Sequence, residues 1–190
     1  MTDYVLAIEL SWAIWYVSWM IAAAFTAAII KRAPATLVVY LLEAPGFFLL
    51  LVATATGETG VPLWQPPALM GWGLFVLSLP GFMFAWWARL TLGRLWSGTI
   101  TRKADHHLVD NGPYALVRHP IYTGLMASVV MTVAAKGTLL ALFGGVLLVV
   151  GFTLKARFEE RFLAAELGAE GYETYRARVP MLLPVGAKKR

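Results

Sequence analysis

Five apolar runs constrain this chain more than any other feature. Residues 10–30 and 68–88 are each free of charge, the second containing Pro80. Residues 35–56 carry a single charge, Glu43, which together with Pro45-Gly46 is read as breaking the run. Residues 121–135 and 138–154 are shorter and are parted by Lys136-Gly137, which reads as a tight helical hairpin. A hydrocarbon core about 30 Å thick asks for roughly 20 apolar residues per helix. Hydrophobic residues make up 59% of the 190, charged residues 14%, and the mean hydropathy is +0.67. A soluble domain of this length cannot hide that much apolar surface. The expected fold is an all-α integral membrane protein with about five transmembrane helices. The first run is too long, and lacks the preceding basic stretch, for a cleaved signal peptide.

Basic residues set the expected orientation, because Lys and Arg near span ends favour the cytosol. Five spans place Lys31 and Arg32 in a first inner loop. Arg89, Arg94, Arg102, Lys103 and Arg118 fall in a second. Lys155, Arg157, Arg161, Arg176, Arg178, Lys188, Lys189 and Arg190 fall in the tail. Lys136 alone lies opposite, so the expectation is N-terminus out and C-terminus in. The net charge of +5 then belongs to a cytosolic face drawn to anionic lipid rather than to nucleic acid. With no cysteine, disulfides, thiolate nucleophiles and Cys-type metal sites are excluded.

No linker or repeat divides the chain, and it reads as one domain over 1–190. Three N-terminal spans fill 1–88, a polar loop, hairpin and C-terminal helices fill 89–184, and 185–190 is a basic tail. The loop 89–120 is long for a connection in a compact domain, which marks it as functional or disordered. Leu92, Leu95, Trp96, Ile100, Leu108, Val109, Tyr114, Leu116 and Val117 alternate with its charges and argue against disorder. Asp110-Asn111-Gly112-Pro113 is a turn signal. Proline crowds the residue before it, so His119-Pro120 holds His119 extended while Pro120 opens a helix. His119 thus stands above a helix N-terminus, where free N–H groups meet a ligand's negative charge.

All three histidines, His106, His107 and His119, lie in this loop. They are open to three readings: hydrogen-bonded structural groups, a metal site, or contacts to a polar cofactor. The spacing matches no helix-borne metal motif. Glu159-Glu160 is either a solvated helix start or an acid for a ligand ammonium, and since adjacent helix residues point about 100° apart, at most one of the two is expected to face a given site. With Lys155 and Arg157 nearby as partners for a carboxylate, the group suits a zwitterionic amino acid. Glu43, an acid inside a span, is functional or paired with an inner-loop base. A predicted tail helix over 155–167 stops at Gly168, and a second short one ends at Val179-Pro180. Trp12, Trp15 and Trp19 share one face of the first span, for packing, interfacial anchoring or a lipid-tail groove. Gly144-Gly145 permits close helix approach.

Two motifs carry a resemblance. Gly112-Pro113-Tyr114-x-x-Val117-Arg118-His119-Pro120-x-Tyr122-x-Gly124 is the first. The second is Glu159-Glu160-x-x-Leu163-x4-Gly168-x3-Tyr172-x-x-Tyr175-x3-Val179-Pro180-x-x-Leu183-Pro184. Together, over about half the chain from Thr99 to Pro184, they resemble the isoprenylcysteine carboxyl methyltransferase family, which is related to the phospholipid N-methyltransferases. The resemblance implies S-adenosyl-L-methionine as cofactor, in a cytosol-facing pocket formed by the inner loop and C-terminal helices. It implies cofactor contacts at Thr99, His106, His107, Leu108, Val109, Tyr114, His119, Pro120, Ile121, Tyr122 and Glu159, and no metal. Lys155 stands where the family carries an acceptor-linked arginine, with Arg157 as a second acceptor-binding residue. Met181 stands where a basic residue is common.

Methyl transfer is an in-line displacement in which the protein positions the reactants and excludes water. A carboxylate acceptor needs no base, whereas an ammonium needs one, and Glu43 is the acid inside the spans. The expected acceptor is a lipophilic small molecule or lipidated partner arriving from the bilayer, in a multi-pass protein of a prokaryotic inner membrane. Two other readings are an NADPH-dependent membrane reductase of the sterol-reductase type, which shares a similar Arg-His-Pro-x-Tyr-x-Gly signature, and a non-enzymatic transporter or scaffold. The paired acids favour the methyltransferase, because a triphosphorylated dinucleotide calls for bases there.

Overall fold

The computed structural model describes residues 2–26, 29–32, 36–52, 61–97, 101–103, 108–167 and 169–184. Among the described residues are six α-helices: α1 Asp3–Ala23, α2 Thr36–Phe47, α3 Ala68–Leu92, α4 Pro120–Lys136, α5 Leu139–Leu167 and α6 Ala169–Arg178. Asp3–Ala23, Ala68–Leu95 and Leu139–Ala165 are long and apolar enough to cross a membrane, while Val39–Leu51 and Pro120–Lys136 are shorter apolar helices. Large side chains such as Ile14, Leu69, Met83 and Leu90 face outward. In water that surface would be unstable; in lipid it is the solvated face. This is an all-α membrane protein.

Three local outcomes depart from the sequence reading. First, α1 begins seven residues before the apolar run and takes in Glu9. That acid is neutralised by Lys136, whose Nζ donates to Glu9 Oε1 at 2.7 Å and to Leu50 O at 2.7 Å. Second, the chain does not break at Pro45-Gly46. The helix runs through Pro45 into a π-helical turn, Phe48–Val52, and Lys136 takes one carbonyl of that turn. Third, the last span and the tail helix are a single 29-residue helix. Lys155, Ala156, Arg157, Glu159 and Glu160 are all strong helix formers, so nothing at 154 stops propagation. At 1.5 Å per residue α5 is about 43 Å long. That exceeds a hydrocarbon core of about 30 Å, so the helix is long enough to carry its acidic turn beyond one.

One short antiparallel ladder was not expected. β1 Ile29–Arg32 pairs with β2 Thr101–Lys103, matching Ile29 to Lys103, Lys31 to Arg102 and Arg32 to Thr101 around a register shift. It gathers two basic connections at one end of the helices. At the other end the α2–α3 connection crosses the α4–α5 hairpin. Gly137 O accepts from Leu63 N and Trp64 N at 2.8 and 3.2 Å, and Leu139 N donates to Val61 O at 2.9 Å. Gly137 takes the left-handed conformation, φ 60°, that closes α4, as a helix C-terminus favours.

The interior packs by glycine contacts and by tryptophan. Gly81 and Gly124 bring the α3 and α4 backbones together, since a Cβ on either would strike the other's carbonyl oxygen. Gly144 does the same against Gly46 and Leu50. Trp12, Trp15 and Trp19 are buried and form an aromatic core rather than a lipid-facing belt. Trp12 meets Phe82 edge-on at 4.7 Å, and Trp19 meets Trp86 and Trp96 at 5.4 and 5.3 Å. A hydroxyl relay satisfies the indole: Trp12 Nε1 donates to Thr132 Oγ1, Thr132 to Ser128 O, and Ser128 to Ser78 O, at 2.9, 2.7 and 2.8 Å.

Candidate functional site

Pro120 fixes the start of α4, and the geometry around it follows. Proline excludes helical backbone at His119, which sits at the N-cap with φ −125° and ψ 63°. Thr123 holds this entry by donating its N–H to His119 O at 3.0 Å. The imidazole therefore turns under the helix N-terminus, where the acidic turn of α5 meets it.

Both acids arrive there. His119 Nδ1 lies 3.5 Å from Glu159 Oε2, and Nε2 lies 3.3 Å from Glu160 Oε1. The expectation that only one of two adjacent acids can face a site fails, because a bidentate imidazole spans the 100° between them. Tyr122 hydroxyl donates to Glu159 Oε1 at 2.6 Å. Its ring stacks between His119 and Phe152, each 5.6 Å away and 12° from parallel. Glu160 is further held by Arg118 Nε at 2.7 Å, both side chains being less than a tenth exposed.

The C-terminal segment closes this cluster from outside. Arg118 N donates to Pro180 O at 2.9 Å and His119 N to Met181 O at 3.1 Å. Thr123 hydroxyl donates to Leu182 O at 2.6 Å. The Arg118 guanidinium reaches Arg176 O at 3.0 Å and also Val179 O. Tyr175 hydroxyl donates to Tyr114 O at 2.7 Å, and Arg178 pairs with Asp110 at 2.8 Å. Leu108 packs on Tyr172, Tyr175 and Val179. Burial first of all raises the pKa of Tyr114, Tyr172 and Tyr175, so these phenols stay neutral.

His119 is the electrostatic pivot. A neutral imidazole has one N–H and one lone pair, yet both nitrogens here face carboxylate oxygens. Burial lowers its pKa, but the hydrogen bonds and charges of Glu159 and Glu160 outweigh burial and raise it above the ordinary 6.5. A raised pKa in the folded state contributes stability that is complete below the unfolded value and lost as pH climbs through the folded one. Thermal stability in detergent is therefore expected to fall with rising pH above about 6.5, with a slope of up to about 1.4 kcal/mol per pH unit. His119→Gln should flatten that slope, and an equally steep variant would remove His119 as its source.

Behind Tyr122 lies a second charged pair. Lys155 Nζ is 3.5 Å from Glu43 Oε2 and 5.5 Å from the Tyr122 ring centre. Glu43 thus pairs with a base on α5, not with one from the inner loop.

Of the sequence-predicted residues, His119, Tyr122 and Glu159 converge, with Lys155 and Glu43 adjoining. Tyr114 and Leu108 line the C-terminal closure, and Val109 packs on the main core. Pro120 and Ile121 are buried, shaping α4. Arg157 is exposed on α5, away from Lys155. Thr99, His106, His107 and Gly168 lie outside the described residues. Sequence reasoning did not single out Arg118, Glu160, Thr123 and Tyr175 as site residues, although each but Thr123 stands at a fixed position of the two motifs.

Residues 74–165 match the model of the isoprenylcysteine carboxyl methyltransferase family. A cobalt-zinc-cadmium resistance protein of Cupriavidus metallidurans is 29% identical over 126 residues, covering 64% of this chain and 51% of that protein. The protein-S-isoprenylcysteine O-methyltransferase of Schizosaccharomyces pombe is 35% identical over 85 residues, 44% of this chain and 36% of the enzyme. A methanethiol S-methyltransferase of Bradyrhizobium diazoefficiens is 28% identical over 151 residues, 65% of this chain and 50% of the enzyme. The chain spans about half or less of the length of these relatives. The matched segment, just under half of the chain, holds the entire first motif and Glu159-Glu160, and over it the chain is similar to the isoprenylcysteine carboxyl methyltransferase family.

Proposed function

We propose that this protein transfers a methyl group from S-adenosylmethionine to a lipophilic acceptor at the cytosolic face of a prokaryotic inner membrane. The carrying observation is Glu159. It is the more accessible of the two paired acids, its side chain 19% exposed against 9% for Glu160. Tyr122 fixes one of its oxygens beneath the start of a 17-residue helix.

The residues present fit the cofactor. Glu159 accepts an ammonium, the helix N-terminus favours a carboxylate, and the tyrosine-rich C-terminal closure offers aromatic faces. When bound, the cofactor supplies an electrophilic methyl on a sulfonium. The chain's own contribution is positional. Glu160 and Arg118 anchor His119, His119 and Tyr122 orient Glu159, and residues 179–182 cover the cluster and exclude water. The names of two relatives support methyl transfer to a carboxylate or thiol. In this reading the helices cross five times, N-terminus out. The ladder places both basic connections at one end, which is the end that the positive-inside rule assigns to the cytosol and to anionic lipid. No domain boundary divides 1–190, and the acceptor enters sideways from the bilayer.

S-adenosylhomocysteine is expected to raise the melting temperature of the detergent-solubilised protein with dose, as binding to the folded state requires, while NADPH does not. Glu159→Gln should weaken that ligand about ten- to a hundredfold, the loss of a charge-assisted bond worth about 1.5–3 kcal/mol. A dose-dependent shift with NADPH alone would replace the methyltransferase reading with the reductase.

A further inference from the structure

Glu43 and Lys155 are 112 residues apart and lie on α2 and α5. Glu43 is outside the segment that matches the family, so nothing in that match gives it a role. It is 8% exposed, and its Oε2 faces Lys155. Its other oxygen, Oε1, is buried and has no hydrogen-bond partner among the described residues. A buried acceptor left unpaired is costly, and a donor brought by a ligand would recover that cost. The acid is also accommodated deliberately: opposite it α5 carries Gly151, where a Cβ would come within 3.2 Å of Glu43 Cγ.

The pair adjoins the reaction centre. Lys155 Nζ sits over the Tyr122 ring, whose hydroxyl holds Glu159. One aromatic ring therefore separates the pair from the carboxylate assigned to the cofactor. Its net charge is zero, and that selects among acceptors. A carboxylate gains from Lys155 but meets Glu43, and an ammonium gains from Glu43 but meets Lys155. A neutral nucleophile bearing a hydrogen meets neither penalty and supplies the donor that Oε1 lacks. Among such groups a thiol is the most acidic, near 8.5 for cysteine. Its sulfur, becoming anionic as the proton leaves, is stabilised by the Lys155 ammonium.

Building on methyl transfer as proposed above, we infer that the acceptor is a lipophilic thiol and that Glu43 takes its proton. The acceptor sulfur forms a new carbon–sulfur bond to the methyl group while the sulfonium's bond to that carbon breaks, leaving its electron pair on the donor sulfur. The S–H pair stays on the acceptor sulfur and the proton ends on Glu43 Oε1. The products are a methyl thioether, a neutral donor thioether and a protonated Glu43, which returns its proton to water before the next cycle.

The test uses the full chain in phosphatidylcholine–phosphatidylglycerol nanodiscs, with 1-dodecanethiol, dodecyl methyl sulfide and dodecanoate as probes. Wild type saturated with S-adenosylhomocysteine should bind the thiol more tightly than the sulfide, which has no S–H. Glu43→Gln should erase that preference. With labelled S-adenosylmethionine, Glu43→Gln should lower thiol methylation about a hundredfold or more near neutral pH, the usual scale for losing a general base. The loss should shrink as rising pH ionises the thiol without help. Because Glu43→Gln leaves Lys155 buried and unpaired, Glu43→Gln/Lys155→Gln restores neutrality and should show the same lost preference. Retained preference in both variants, a loss independent of pH, or faster methylation of dodecanoate than of the thiol would each overturn the proposal. Failure of S-adenosylhomocysteine to stabilise even the wild type would instead remove the cofactor, and the methyltransferase reading with it.

Discussion

Arg118→Met is expected to lower the stability of the solubilised protein by about 3–5 kcal/mol, the range for breaking a buried ion pair from one side. Arg118 Nε and Glu160 Oε1 are 2.7 Å apart with both side chains nearly out of solvent. Methionine matches much of the arginine volume, so the loss is electrical. Among the described residues Glu160 would keep His119 at 3.3 Å and the exposed Arg176 at 3.9 Å. The carbonyls of Arg176 and Val179 would lose their shared donor as well. Arg118→Met/Glu160→Gln should be less damaging than the two single changes added together, because the second change removes the stranded charge. Strict additivity, or a single variant within about 1 kcal/mol of wild type, would show that the pair is not a joint support. The C-terminal segment should report the same event, with its amides exchanging faster in Arg118→Met than in wild type.

Gly124→Leu is expected to abolish the folded protein, and Gly124→Ala to destabilise it by about 1–3 kcal/mol, as overpacking does. A Cβ at Gly124 would strike Gly81 O and lie 3.0 Å from Ala85 N. Those obstacles are backbone, so no rotamer change relieves them and α3 must retreat from α4. That retreat would open the Ser78–Ser128 link at 2.8 Å and with it the relay to Trp12. Gly73→Ala is the matched control: it lies in the same α3, a Cβ there meets nothing within 4 Å, and alanine should stabilise the helix by about 0.5–1 kcal/mol. Circular dichroism and size-exclusion recovery of the three variants decide the matter. Equal recovery of Gly124→Ala and Gly73→Ala would show that the contact is loose.

The parts of this molecule legible in sequence are those governed by local rules. Hydropathy located the five apolar helices found among the described residues, and His119-Pro120 announced a helix start with an extended residue above it. Helix ends were read less well where the deciding partner is distant. Glu9 lies inside α1 because Lys136 meets it from another helix, and no local property of residues 3–10 reveals that. The tail helix looked separate only because charge begins at Lys155, yet charge does not interrupt helical hydrogen bonding. In the site, Tyr122 and Glu159 were reachable through motif resemblance. The pairing of Glu43 with Lys155 was not, since it arises from α2 lying along α5. Adjacent Glu159 and Glu160 were expected to diverge, and geometry on one helix alone supports that. What reconciled them was a third group placed between.

Residues 180–182 join the cluster through main-chain carbonyls: Pro180 takes the Arg118 amide, Met181 the His119 amide and Leu182 the Thr123 hydroxyl. A carbonyl is present whatever the side chain, so the identity of these residues is only weakly constrained by the bonds they make. Spacing is another matter. Deleting one residue between Val179 and Leu182 would slide every acceptor along by about 3.3 Å, more than a hydrogen bond can stretch. The bonds therefore tolerate exchange of side chains at 180–182 but not a change in the length of the segment. This stretch is a place where side chains can be exchanged without touching the main-chain scaffold that holds His119.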